Sequence, residues 1–243
     1  DVGKLPWDAE NAFQEEEDGN PNQEAVPIDP VSPEELETVY LAYLEELRGR
    51  GNLIGQFAQW YSFAGEMEPV AIVDILGDAA PELIYVDVDP NATSEAYLNI
   101  LTYRDGELQT VWREYCDLFA ENGMPFTLYQ SEDSRQLYFL SAYYMNGTQY
   151  YFEVRTTFVD TEDGGFEVQE LRSNNGLLLW NDQQILRPEY EALEEDFPTT
   201  YSAIVMSNRT KVEGSSFQFV FQDTLAMTYD QAVAYLEEAI VQS

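Results

Sequence analysis

From residue 70 to residue 171 apolar side chains return at every second position, and clusters of turn-forming residues interrupt them at short intervals. A period of two sends alternate side chains to opposite faces of a pleated strand, so this stretch predicts strands. The spacing places them at 70–74, 82–89, 97–103, 108–115, 126–129, 137–145, 149–159 and 166–171, with two more at 201–206 and 217–221. Arg104-Asp105-Gly106-Glu107, Asn146-Gly147 and Glu162-Asp163-Gly164-Gly165 fall between strands as hairpin turns. Asn146-Gly147 is the clearest, because both residues tolerate the positive φ that a tight hairpin requires. Strands joined by turns this short must run antiparallel.

Helical spacing is confined to the flanks. Ser32-Pro33-Glu34-Glu35 reads as a capping box with proline at the first helical position. Leu36, Val39, Tyr40, Tyr43, Leu44 and Leu47 then recur at helical intervals up to Arg48-Gly49. A second box, Thr228 to Gln231, opens a stripe of Val233, Leu236 and Ile240, and residues 188–195 suggest a short third helix. The expected fold is α+β: a mostly antiparallel β meander of blade-like hairpins, flanked by an N-terminal and a C-terminal helix. Residues 32–243 form one globular domain in this reading. Residues 1–31 hold Pro6, Pro21, Pro27 and Pro30, and nine acids against one base. Such a stretch cannot bury enough surface to offset its ordering entropy, which predicts a disordered acidic linker. Within it, Leu5-Pro6-Trp7 is a short piece suited to docking on a neighbour.

Composition removes whole classes of chemistry. The 243 residues contain no histidine and one cysteine, Cys116. Ser-His-Asp and Cys-His catalysis, His-ligated metals, intrachain disulfides and CxxC sites are therefore excluded for this chain. Lys+Arg number 11 against 46 Asp+Glu, a formal net charge of −35. That balance offers no basic footprint for nucleic acid and is repelled by anionic membrane surfaces. The longest apolar run, Leu177-Leu178-Leu179-Trp180, is strand-sized and far short of the roughly 18 residues of a membrane span. Apolar residues at 44%, with 14% aromatic, still suffice for a packed core.

One segment carries a motif: Val70-Ala71-Ile72-Val73-Asp74-Ile75-Leu76-Gly77-Asp78-Ala79-Ala80-Pro81-Glu82-Leu83-Ile84. A strand enters a short acidic loop and another leaves after the last carboxylate. Acids spaced this way can converge on a hard cation, which makes Asp74, Asp78 and Glu82 candidate calcium ligands. The segment resembles the FG-GAP/VCBS-type repeat through Asp74, Gly77, Asp78, Pro81, Glu82 and Leu83. The resemblance implies a calcium-type loop and the hairpins of a β-propeller blade, over roughly 45 residues including 97–103 and 108–112. Leu76 stands where the family places an oxygen ligand, and Ala79 where it places a glycine. Linker, helix, degenerate loop and tyrosine-rich meander together resemble uncharacterised secreted proteins or lipoproteins of gut-type Gram-positive bacteria. That likeness, and a start without methionine, suit a processed surface lipoprotein anchored upstream.

Aromatics supply the other candidate site. Tyr138, Tyr143, Tyr144, Tyr150 and Tyr151 lie on two adjoining predicted strands, with Tyr143 and Tyr151 assigned to one face and Tyr144 and Tyr150 to the other. Exposed aromatics of this kind stack on sugar rings or on a protein partner, and buried ones pair across strands. Trp60, Trp112 and Trp180 read as core residues, and Cys116 as a small buried apolar one. The expected function is a non-enzymatic, extracytoplasmic binding or interaction module, tethered to a cell surface, with a carbohydrate or protein ligand. The alternative is a glycan hydrolase using paired carboxylates.

Overall fold

A computed structural model of the chain describes residues 32–53, 68–88, 96–116, 125–132, 135–145, 148–162, 165–211 and 217–242. The expected linker at 1–31 with its Leu5-Pro6-Trp7, and Trp60, Asn146-Gly147 and Asp163-Gly164, lie outside the described residues.

Helix α1 (Pro33–Arg50) starts as its capping signal dictates, with the Glu35 N–H donating to Ser32 Oγ at 3.2 Å. The Glu35 carboxylate accepts from the Tyr103 hydroxyl at 2.8 Å, tying the first turn to a neighbouring strand. The helix runs through Gly49 and stops at Gly51, whose φ of 78° and N–H to the Arg48 carbonyl form the C-cap. Of the two glycines, the one in the left-handed conformation marks the end.

The first sheet contains β1 (Pro69–Val73), β2 (Glu82–Val88), β3 (Ala96–Arg104) and β4 (Glu107–Cys116) in sequence order. The second contains β5 (Phe126–Gln130), β6 (Gln136–Met145), β7 (Thr148–Asp160), β8 (Phe166–Asn174), β9 (Leu177–Trp180), β10 (Gln183–Gln184), β11 (Ala203–Lys211) and β12 (Phe217–Val220). Helix α2 (Arg187–Glu194) follows β10, and β13 (Met227–Thr228) leads into helix α3 (Tyr229–Gln242). Strand order is β13-β1-β2-β3-β4 in the five-stranded sheet and β10-β9-β8-β7-β6-β5-β11-β12 in the eight-stranded one. Every pairing is antiparallel. All ten expected strands are present, and the α+β class is as expected. Three short strands were not anticipated: β9 had been noted only as an apolar run, and β10 and β13 are two residues each.

Alternation along β2 explains the layering. Ile84, Val86 and Val88 join Phe126, Leu128, Leu137, Phe139, Val154 and Phe158 in a core between the two sheets. Leu83 and Tyr85, on the opposite face, join Leu36, Tyr40, Leu44 and Leu47 of α1 and Tyr229, Ala232 and Leu236 of α3 in a second core. The N- and C-terminal helices thus meet on one face of the first sheet, because both faces of that sheet are apolar and each must be covered. The α3 cap forms reciprocally, Thr228 N–H to Gln231 Oε1 at 3.0 Å and Gln231 N–H to Thr228 Oγ1 at 3.3 Å. A third, smaller core of Leu171, Leu178, Tyr190 and Phe197 seats α2 against the second sheet. No described helix is long and apolar enough to cross a membrane.

Candidate functional site

The acidic loop between β1 and β2 turns its carboxylates onto its own backbone. Asp74 accepts from the Gly77 N–H at 2.6 Å through Oδ1 and from the Ala79 N–H at 3.1 Å through Oδ2. Asp78 accepts from the Ala80 N–H at 3.0 Å and binds Arg104 Nη2 at 2.7 Å. Glu82 is fully buried. Its Oε2 accepts from the Ile75 and Leu76 N–H groups at 2.6 and 3.1 Å, and its Oε1 from the Thr102 hydroxyl at 3.2 Å. Burial pushes the Glu82 carboxyl up to about 8, against the two backbone N–H donors, which hold it down. The expected calcium ligands Asp74, Asp78 and Glu82 are therefore not assembled around one point. Among the described residues, no group of three or more His, Cys, Asp or Glu is placed to hold a metal. Of the two residues that depart from the expected loop pattern, Leu76 has a structural reason and Ala79 has none. Leu76, at 4% exposure, is part of the core between the sheets. Ala79 takes the left-handed conformation, φ 70°, that glycine would adopt more easily.

The tyrosines divide differently from the expectation. Register pairs Tyr143 with Tyr150, and Tyr144 with Gln149. Directly opposed positions share a face, so Tyr143 goes with Tyr150, while Tyr144 goes with Tyr138 and Tyr151. A one-residue offset in strand pairing reverses every face assignment on one strand. The side chains of Tyr143, Tyr144 and Tyr150 lie outside the described residues. Tyr151 is 49% exposed.

Tyr138 belongs to an aromatic cluster that the sequence did not reveal. It opposes Tyr129 directly across β5 and β6, and the two rings lie 5.8 Å apart at 22°. Tyr201 enters just before β11, where the Ser202 N–H bonds the Gln130 carbonyl at 3.0 Å and Ala203 pairs with Gln130. Its ring lies 5.3 Å from Tyr138 and 6.3 Å from Tyr129. Two of the three pairs are stacked, at 22° and 24°, and the third is tilted at 45°, so the rings form one compact cluster. All three are half-buried.

The Arg155 guanidinium lies 4.7 Å from the Tyr138 ring centre. It is held by Glu153 at 3.1 Å and Glu194 at 2.8 Å, and donates to the Tyr190 hydroxyl at 3.4 Å. Beside Tyr201 opens a cleft of about 480 Å³ lined also by Ser131, Glu132, Pro198, Thr200 and Ser202. The Tyr201 hydroxyl is buried with no hydrogen-bond partner among the described residues, and burial pushes its pKa up to about 12. A donor left unmatched in this way is costly.

A second polar cluster sits between the sheets. Arg172 reaches Glu114 and Glu170 at 2.8 Å each, and the Trp112 indole N–H donates to Glu170 at 2.5 Å. Burial raises the Glu114 carboxyl, while the Arg172 guanidinium pulls it down. Glu170, Arg172 and Trp112 border a cleft of about 390 Å³ with Asn181 and Asp182. Trp112 and Cys116, expected in the core, are 4% and 1% exposed there, and Trp180 is half-buried against the third core.

No protein-family model, no curated protein and no solved structure matches the chain.

Proposed function

We propose that the protein is a non-enzymatic glycan-binding module working outside the cytoplasm, tethered to a cell surface, and that Tyr129, Tyr138 and Tyr201 are its platform. The observation that carries this reading is a cluster of three tyrosine rings, one of which, Tyr201, lines a cleft. The rings lie 5.3–6.3 Å from one another and each is only half-buried, so aromatic surface from all three is exposed at one place. The C–H face of a sugar packs on such a surface, and its hydroxyls need groups that both donate and accept. Thr200 and Ser202, both exposed, supply them at the rim. The location rests on the acidic proline-rich linker and its likeness to surface lipoproteins. Labelling intact source cells with an impermeant reagent tests it.

Binding is tested by screening a panel of soluble glycans against wild type and a Tyr129→Ala/Tyr138→Ala double variant. Selective retention of one glycan class, lost in the folded double variant, is expected. A ligand bound equally by both proteins would remove the platform from consideration, and selective retention of a protein in place of any glycan would redirect the proposal to a protein partner. Among the described residues, the hydrolase reading is best placed at the Glu114–Arg172–Glu170 cluster, where a buried carboxyl with raised pKa adjoins a second carboxylate at a cleft. Glycosidase activity unaltered by Glu170→Gln would eliminate that pair.

A further inference from the structure

The charge around the platform narrows the class of glycan. Arg155 brings the one described cation against the rings, and Glu153 and Glu194 both bind it, which leaves its charge outweighed. The one charged side chain among the described residues lining the cleft is Glu132, which is exposed. Three carboxylates therefore face one guanidinium around the tyrosines, on a chain whose net charge is −35. A uronate or sulfated sugar arriving here would meet like charge without a free cation to offset it. A cation would meet carboxylates and the negative faces of phenol rings together. One ring of the cluster, Tyr138, already makes a cation–π contact, with the Arg155 guanidinium at 4.7 Å.

Resting on the glycan reading, we infer that the platform takes an amine-bearing glycan, an oligosaccharide of hexosamines with free amino groups. One sugar face covers the tyrosine rings, and an ammonium group lies toward Glu132 or Glu194 at the rim. No covalent step is involved.

The test is calorimetry in mildly acidic buffer, where the sugar amine is protonated, with three probes: a glucosamine trimer, an N-acetylglucosamine trimer and a galacturonate trimer. Each is titrated into wild type, Glu132→Gln/Glu194→Gln and Tyr138→Ala, with circular dichroism confirming that the variants are folded. The glucosamine trimer is expected to bind most tightly and the galacturonate trimer not at all. The double Gln variant is expected to weaken the glucosamine trimer roughly tenfold, from two exposed charge contacts of a few-fold each, and to leave the acetylated trimer unchanged. Tyr138→Ala weakens every trimer that binds. If the acetylated trimer binds as tightly as the amine and the double Gln variant changes neither, the amine inference is overturned and the glycan reading stands. If no trimer binds wild type, or Tyr138→Ala leaves binding intact, the glycan reading falls and takes the inference with it. Binding of the amine trimer that ignores all the variants is diffuse attraction to an acidic surface, and overturns the inference equally.

Discussion

Replacing Glu82 by glutamine probes the least conspicuous acid in the molecule. The carboxyl is fully buried, and its pKa rises from an ordinary 4.5 to about 8, mainly because burial disfavours the charge. The folded state therefore binds this proton more tightly than the unfolded chain does. Stability from the group is complete below about pH 4.5 and is lost as pH rises through about 8. The interval from 4.5 to about 8, at about 1.4 kcal/mol per pH unit, is worth on the order of 5 kcal/mol across the whole window. About 4 kcal/mol of that falls between pH 5 and pH 9. Glutamine keeps a carbonyl oxygen for the Ile75 and Leu76 N–H groups, which donate at 2.6 and 3.1 Å, but has nothing to ionise. Urea unfolding of both proteins at fixed ionic strength, in steps over that range, isolates the group from the general repulsion of the acidic chain. The stability of Glu82→Gln minus that of wild type is expected to grow by about 4 kcal/mol toward pH 9. A difference that changes by less than about 1 kcal/mol would refute the reasoning. It would mean that the two amides and the Thr102 hydroxyl hold Glu82 ionised throughout, with hydrogen bonding outweighing desolvation.

Arg172→Met leaves Glu114, at 6% exposure, without the guanidinium that meets it at 2.8 Å. A loss of about 3–5 kcal/mol by chemical denaturation is expected near neutral pH, shrinking in acid as Glu114 protonates. Ala79→Gly relieves a non-glycine residue held at φ 70°, and a thermal melt should show a gain of about 1 kcal/mol or somewhat less. Tyr201→Phe deletes a buried hydroxyl that has no partner among the described residues, so urea unfolding should show stability rising by about 1 kcal/mol. Unchanged stability there would indicate that the hydroxyl is already satisfied.

What could be read from the chain follows from how local each signal is. Strand positions came from alternation within a few residues, and the helix starts from side chains three residues apart, as Thr228 and Gln231 demonstrate. The layering was also legible in principle. Leu83-Ile84-Tyr85-Val86 is apolar on both parities, which requires cover on both faces of β2, and the two helices provide it on one. Strands β9 and β10 were missed because Asn175 at φ 50° and Asn181 at φ 47° turn the chain, and these asparagines were not weighed as turn formers.

The candidate site was hidden for a different reason. Tyr129 and Tyr138 become neighbours once β5 and β6 are paired, but Tyr201 joins them only because β11 inserts beside β5 across a long sequence gap. Nothing local specifies that pairing. Glu82 was misplaced by the same logic in reverse. Its neighbours in sequence make it one acid of an acidic loop, while the parity of β2 puts it in line with Ile84, Val86 and Val88, facing the second sheet. Strand parity is the stronger constraint, because a side chain two positions from a buried isoleucine must share its face. Had parity been applied before motif matching, Glu82 would have been removed from the candidate calcium ligands and recognised as the buried acceptor that shapes the turn.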